Sequence, residues 1–164
     1  MLALVAAIVL AVMGRAKPID IPDENGAEDH SLAVLTLDDI CAEKPKFSCE
    51  VFGVAKLNEE KSHEQGDVYD AGKMVGEAIA KFSGVSVLQK TYGKTDTVTF
   101  NLDCKHTKGN MRVVLLDERM NVIHDFAIGE VSSFTLKNAE GKNYEIRIAG
   151  ESAEFNVTVE RTFE

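Results

Sequence analysis

The last eighty residues of the chain alternate apolar and polar positions with a period of two. The clearest run is Ala153-Glu154-Phe155-Asn156-Val157-Thr158-Val159-Glu160. Successive side chains on a strand point to opposite faces, so such a run buries one face and wets the other. The same reading, with turn residues between runs, predicts strands over Val85–Tyr92, Thr95–Cys104, Met111–Asp117, Asn121–Phe126, Val131–Lys137, Asn143–Ile148 and Ala153–Thr162. Gly93-Lys94, Lys108-Gly109-Asn110, Asp117-Glu118-Arg119, Gly129-Glu130, Glu140-Gly141-Lys142 and Gly150-Glu151 separate them, at the spacing expected of an antiparallel sandwich. Met111-Arg112-Val113-Val114-Leu115-Leu116 is apolar on both faces, which predicts a central strand covered twice. Val98, Phe100, Leu102, Val113, Leu115, Phe126, Phe134, Leu136, Tyr144, Ile146, Ile148, Phe155, Val157 and Val159 are the expected core.

The earlier part of the chain is patterned differently. Val68, Ala71, Val75, Ala78, Ile79 and Phe82 recur at steps of three and four, with Asp67 as a cap and Ser83-Gly84 as a stop, which predicts a helix over 67–83. Gly72 and Gly76 weaken that helix and imply a close approach on their side. Leu32, Val34, Leu35, Leu37 and Ile40 predict a further short helix, and the alternation from Phe47 to Leu57 a strand. The fold class is therefore mainly β: an antiparallel sandwich of about seven strands, immunoglobulin-like or jelly-roll-like, preceded by a short helical region. Its expected divisions are 1–16, 17–30, 31–84 and 85–164.

Residues 1–13 carry no polar side chain and are followed by Gly14-Arg15-Ala16-Lys17-Pro18. As a helix they would reach about 20 Å, short of the roughly 30 Å hydrocarbon layer. The length and the small residues at 14 and 16 suit a signal peptide cleaved after Ala16, although no basic residue precedes the run; a short hydrophobic anchor and a core helix of a cytoplasmic structural protein are the alternatives. Export to the envelope or beyond is the expectation, with membrane contact only through this segment. Residues 17–30, with two prolines and several acids, read as an acidic linker.

Charge sharpens the picture. The formal net charge is -9, and residues 20–83 hold 15 acids against 6 bases. An acidic surface without a basic stripe repels phosphate backbones, so no nucleic acid is expected as a partner.

The chemical candidates are few. Cys41 and Cys49 would close a short loop around Pro45 if the compartment is oxidising, and Cys104 falls on the buried side of its strand. Cys104 and His106 share a strand face, and His30, His63, Cys41 and Cys49 are the residues that would have to complete a metal site; the spacing lacks the paired short intervals of a zinc motif. Asp23-Glu24-Asn25-Gly26-Ala27-Glu28-Asp29 does not match a calcium loop. No cofactor is expected. Ser132 and Ser133 lie on a strand without a nucleophile elbow, and His124 and Asp125 are adjacent and so face opposite ways. A small hydrolase assembled from scattered acids with His106 or His124 is the alternative of a different class. A carbohydrate-binding module is a third, weakened by the absence of tryptophan and by having only Tyr69, Tyr92 and Tyr144.

Gly109-Asn110-Met111-Arg112-Val113-Val114-Leu115-Leu116-Asp117, Tyr144-Glu145-Ile146-Arg147-Ile148-Ala149-Gly150 and the closing strand from Ala153 to Val159 together resemble the small sandwich modules of exported bacterial proteins, of the pre-peptidase C-terminal or jelly-roll kind. That resemblance implies a binding or stabilising appendage and carries no catalytic residue with it. A non-catalytic exported or cell-surface module with another protein as partner is the functional expectation.

Overall fold

The computed structural model describes residues 32–59 and 71–164. The predicted leader, the acidic linker, His30, His63, Asp67 and Tyr69 lie outside the described residues. Among those described, one helix, α1 (Leu37–Cys41), precedes seven strands: β1 (Phe47–Ser48), β2 (Val51–Glu59), β3 (Ala71–Tyr92), β4 (Val98–Leu116), β5 (Val122–Phe126), β6 (Val131–Leu136) and β7 (Asn143–Phe163). All pairings are antiparallel within one sheet, in the order β1-β3-β7-β4-β5, with β2 also on β3 and β6 also on β4.

Three strands of 22, 19 and 21 residues are far longer than the usual three to ten, and each bends near its middle. The bends lie in register. Gly84 pairs with Gly150, Met111 with Gly150 and Asn110 with Glu151, and the pairing slips beside each of them. Backbones with positive φ mark the same line: Lys81 (52°), Gly84 (107°), Gly109 (74°) and Ser152 (53°). At Gly109 an added Cβ would lie 2.4 Å from the Glu151 and Ser152 carbonyl oxygens, so only glycine fits that crossing.

The bend folds the sheet over onto itself. One layer holds β2, β6 and the segments 71–82, 98–106 and 153–163; the other holds β1, β5 and the segments 84–92, 111–116 and 143–150. Side chains meet across the gap: Cys104 Sγ lies 3.8 Å from Met111 Sδ, and the His124 and Phe134 rings stack at 4.2 Å. Between the layers lie Phe82, Leu88, Val98, Phe100, Leu102, Val113, Leu115, Ile146, Ile148, Val157 and Val159, all at 2% exposure or less. The expected inward face of the carboxyl-terminal half is therefore the observed core, except that Phe134 and Leu136 of β6 are only half-buried against it.

The predicted helix over 67–83 is corrected: residues 71–83 belong to β3. Met74, Gly76 and Ala78 are buried alternately and pair with Val159, Val157 and Phe155. The slip between Ala78 and Phe82 then advances the next buried position by four residues, and that step imitates a helical repeat. The close approach inferred from Gly76 is present, since a Cβ there would lie 2.8 Å from Leu88 Cδ1. The turns expected between Cys104 and Met111 and between Ile148 and Ala153 are bends within continuous strands, β4 and β7.

Met111–Leu116 is buried at all six positions, as its two-faced pattern requires. Its outer cover is the amino-terminal segment. Leu32 and Ile40 pack with Val85, Val114, Leu116 and Ala149 in a second apolar cluster. Thr36 caps α1 by accepting from the Asp39 N–H, while the Asp39 carboxylate accepts from the Thr36 N–H.

Candidate interaction surface

Two side chains of β7 hold the amino-terminal segment on the sheet. Glu151 accepts the backbone N–H groups of Ala33 (3.0 Å), Val34 (2.5 Å) and Leu35 (2.9 Å). Burial pushes its carboxyl up, but these three donors and Asn110 outweigh that and leave it below its ordinary range. Arg147 is 1% exposed; its Nη1 donates to the carbonyls of Ile40 (2.7 Å) and Ala42 (2.6 Å), and its Nη2 lies 2.8 Å from a Glu145 carboxylate oxygen. The arginine thus satisfies carbonyls at the end of α1 that the helix itself leaves open. Neither role is readable from the sequence, where Arg147 alternates outward on its strand and Glu151 reads as a turn residue.

The other ionisable candidates are spread through the molecule. Cys104 is fully buried, and burial pushes its thiol up to about 12, which keeps it protonated and makes it a poor metal ligand. His106 Nε2 lies 2.6 Å from the Gly109 carbonyl at the bend. His124 turns inward between Phe126 and Phe134, and burial lowers its pKa. Asp125 faces the other way and pairs with Arg112, as adjacent strand positions require. Ser132 and Ser133 lie on β6, paired with Leu102 and Asn101. Cys41 and Cys49 are both free thiols here: Cys41 packs with the outer cluster, whereas Cys49 Sγ packs with the inner one and donates to the Val51 and Ala80 carbonyls. Among the described residues, no three His, Cys, Asp or Glu side chains gather as a metal site would need.

One open hollow of about 320 Å³ lies at the end of the sandwich where the β4–β5 and β6–β7 turns meet. Asp117, Arg119, Asn121, Lys137, Lys142 and Tyr144 are among its walls. Asp117 is occupied with its own turn, accepting the N–H groups of Arg119 and Asn121 and the Asn121 side-chain amide. Tyr144 is 4% exposed, so its ring offers no stacking platform for a sugar.

The more unusual surface is apolar and lies along the β1–β2 edge. Phe47, Val51, Val54 and Leu57 are 47%, 51%, 40% and 42% exposed, and Ile79 of the adjoining β3 is 58% exposed. Phe47 and Phe52 pack on Phe82, with ring centroids at 5.6 and 5.2 Å, and Phe82 packs on Phe155 at 5.3 Å. This aromatic cluster fastens the edge to the core while its aliphatic neighbours remain in water. The sequence did mark Val51, Val54 and Leu57 as a strand; their exposure depends on what lies beside them.

No family model and no curated protein matches the chain. Solved structures to which it has a distant similarity include the enzymatically active domain of tailspike protein 4 of bacteriophage CBA120, at 11% identity, covering 74% of this chain and 19% of that one, with a TM-score of 0.35. A protein of Bacillus endospore appendages, described as a novel family of disulfide-linked pili, is 15% identical over 74% of this chain and 92% of that one, with a TM-score of 0.33. The CBM22-1 and GH10 modules of Clostridium thermocellum xylanase 10B, complexed with xylohexaose, give 14% identity, 77% and 27% coverage, and a TM-score of 0.27. The chain thus spans about a fifth of the tailspike domain, and each likeness is a distant one of shape.

Proposed function

We propose that this chain is a non-catalytic module of an exported or surface-attached protein and that it works by contact with another protein. The observation that carries the reading is the apolar β1–β2 edge on a chain of net charge -9. Large exposed aliphatic side chains grouped at one sheet edge are the mark of a contact surface, whereas scattered single ones are ordinary. The described ionisable groups support the same reading, because Arg147, Glu151, Asp117 and Asp125 are each spent on holding the fold.

Two measurements test it. Mass spectrometry of the chain recovered from its native host should find a mature start at Lys17, and an intact Met1 would count against export by a cleaved leader. Capture from the envelope fraction with wild type and with Val51→Lys/Leu57→Lys should return a partner with the first and lose it with the second. Equal capture by both would remove the edge from the interaction.

A further inference from the structure

The strand β2 has the residue pattern of a sheet interior and the position of a sheet edge. By alternation, Val51, Gly53, Ala55 and Leu57 share its outer face and Phe52 and Val54 its inner face, so only Lys56 interrupts a run that is apolar on both sides. The stretch Met111–Leu116 carries a comparable two-faced pattern and is buried at every position, with a strand on each side and a cover above. In contrast, β2 pairs only with β3 among the described residues, and no atom lies within 4 Å of a Cβ built on Gly53. Edge strands are ordinarily protected by proline, bulges toward solvent or several charges; β2 has no proline, its charged residues are Lys56 and the terminal Glu59, and its one irregularity against β3 lies at its start, between Val51 and Phe52.

We infer that β2 pairs with β2 of a second copy of this chain, antiparallel about a two-fold axis through Gly53. This deepens the reading of a contact module by naming the partner of that same edge, and it rests on that reading. The choice of a second copy comes from charge. An axis at Gly53 sets Phe52 opposite Val54 and Val51 opposite Ala55, and it brings Glu50, in the bend just before β2, level with Lys56 of the other copy. Both ion pairs and the apolar contacts therefore arise together, twice over, as a two-fold interface requires. An axis at Val54 would instead face Lys56 with Phe52 and Glu50 with Asn58, and would match no charges. Glu50 already lies 2.9 Å from Lys81 Nζ, yet its side chain remains 56% exposed and retains acceptor capacity for a second cation. Elsewhere the surfaces of two such acidic chains repel, so the matched pairs select this register over other edge contacts.

The test is sedimentation velocity on the full chain, with the monomer mass fixed by denaturing mass spectrometry. The expected species has twice that mass. Glu50→Lys alone and Lys56→Glu alone each place like charges opposite one another twice, and each should raise the dissociation constant roughly tenfold or more. The double exchange Glu50→Lys/Lys56→Glu restores opposite charges and should return the constant to within about threefold of wild type. A wild type that stays monomeric at about 100 µM overturns the inference, which is of a dimer with a dissociation constant below that. So does a dimer indifferent to the single exchanges, or one that the double exchange fails to restore. A monomer that still captures an envelope protein through Val51 and Leu57 would leave the contact reading in place and remove only the second copy.

Discussion

Phe100 shows what a single core position contributes. It is fully buried, sits between β6 and β7 in register with Phe134 and Arg161, and belongs to the cluster shared by both layers. Truncation to alanine removes its contacts with both layers and leaves a cavity that rigid neighbouring strands cannot close. Phe100→Ala should therefore cost about 3 to 5 kcal/mol. Urea unfolding should show a lower midpoint with an unchanged slope, and an unchanged midpoint would mean that the inward face has been misassigned. Positions of this kind were legible in the sequence because the two-residue period of β4 and β7 fixes which side chains share a face. Arg147 was not. It does alternate outward, but the outer face of its layer is covered by Leu32 and Ile40 from more than a hundred residues earlier, and no local period encodes that.

At the scale of elements, the sequence predicted the strands better than their continuity. In sequence Gly109 and Gly150-Glu151 look like turns because glycine permits positive φ, yet in β4 and β7 they occupy bends that carry a strand from one layer to the other. Turns and bends use the same residues, and only the partner strands distinguish them. The segment 32–42 is the clearest case of an element defined by its anchors, since its five-residue helix is too short to persist alone. Arg147→Ala would leave the Ile40 and Ala42 carbonyls and the Glu145 carboxylate without their guanidinium. Breaking such a buried charged contact costs about 3 to 5 kcal/mol if the structure stays closed. Lifting the segment into water relieves most of that penalty, so the loss should be local. Hydrogen exchange should accelerate across residues 32–42 while β4 and β7 keep their protection, and equal protection in both proteins would show that Arg147 is not the anchor.

At the scale of the molecule, the described residues form one sheet folded over on itself, and its two layers are joined at their two sides by different chemistry. On one side the Phe47, Phe52, Phe82 and Phe155 rings fasten β1 and β2; on the other, His124 of β5 stacks on Phe134 of β6 with the ring planes 12° apart. The second closure contains a titratable group. Burial lowers the His124 pKa below its ordinary 6.5, because an imidazolium between Phe126 and Phe134 would lose hydration without a compensating charge on either ring edge. An unfolded chain therefore takes up the His124 proton at a higher pH than the folded one. The closure contributes its full stability above about pH 6.5 and loses it as pH falls through the lower folded value. Wild type should accordingly melt at a lower temperature at pH 5.5 than at pH 7.5. His124→Phe keeps an aromatic ring in the stack and removes the proton, so the difference between the two proteins' melting temperatures should grow in favour of the variant over that interval. Carboxylates held low, such as Glu151, act only below about pH 4.5 and do not enter this window. Parallel melting curves for wild type and variant from pH 7.5 to 5.5 would show that His124 is protonated equally in both states, and that the half-buried β5–β6 stack does not help hold the two layers together.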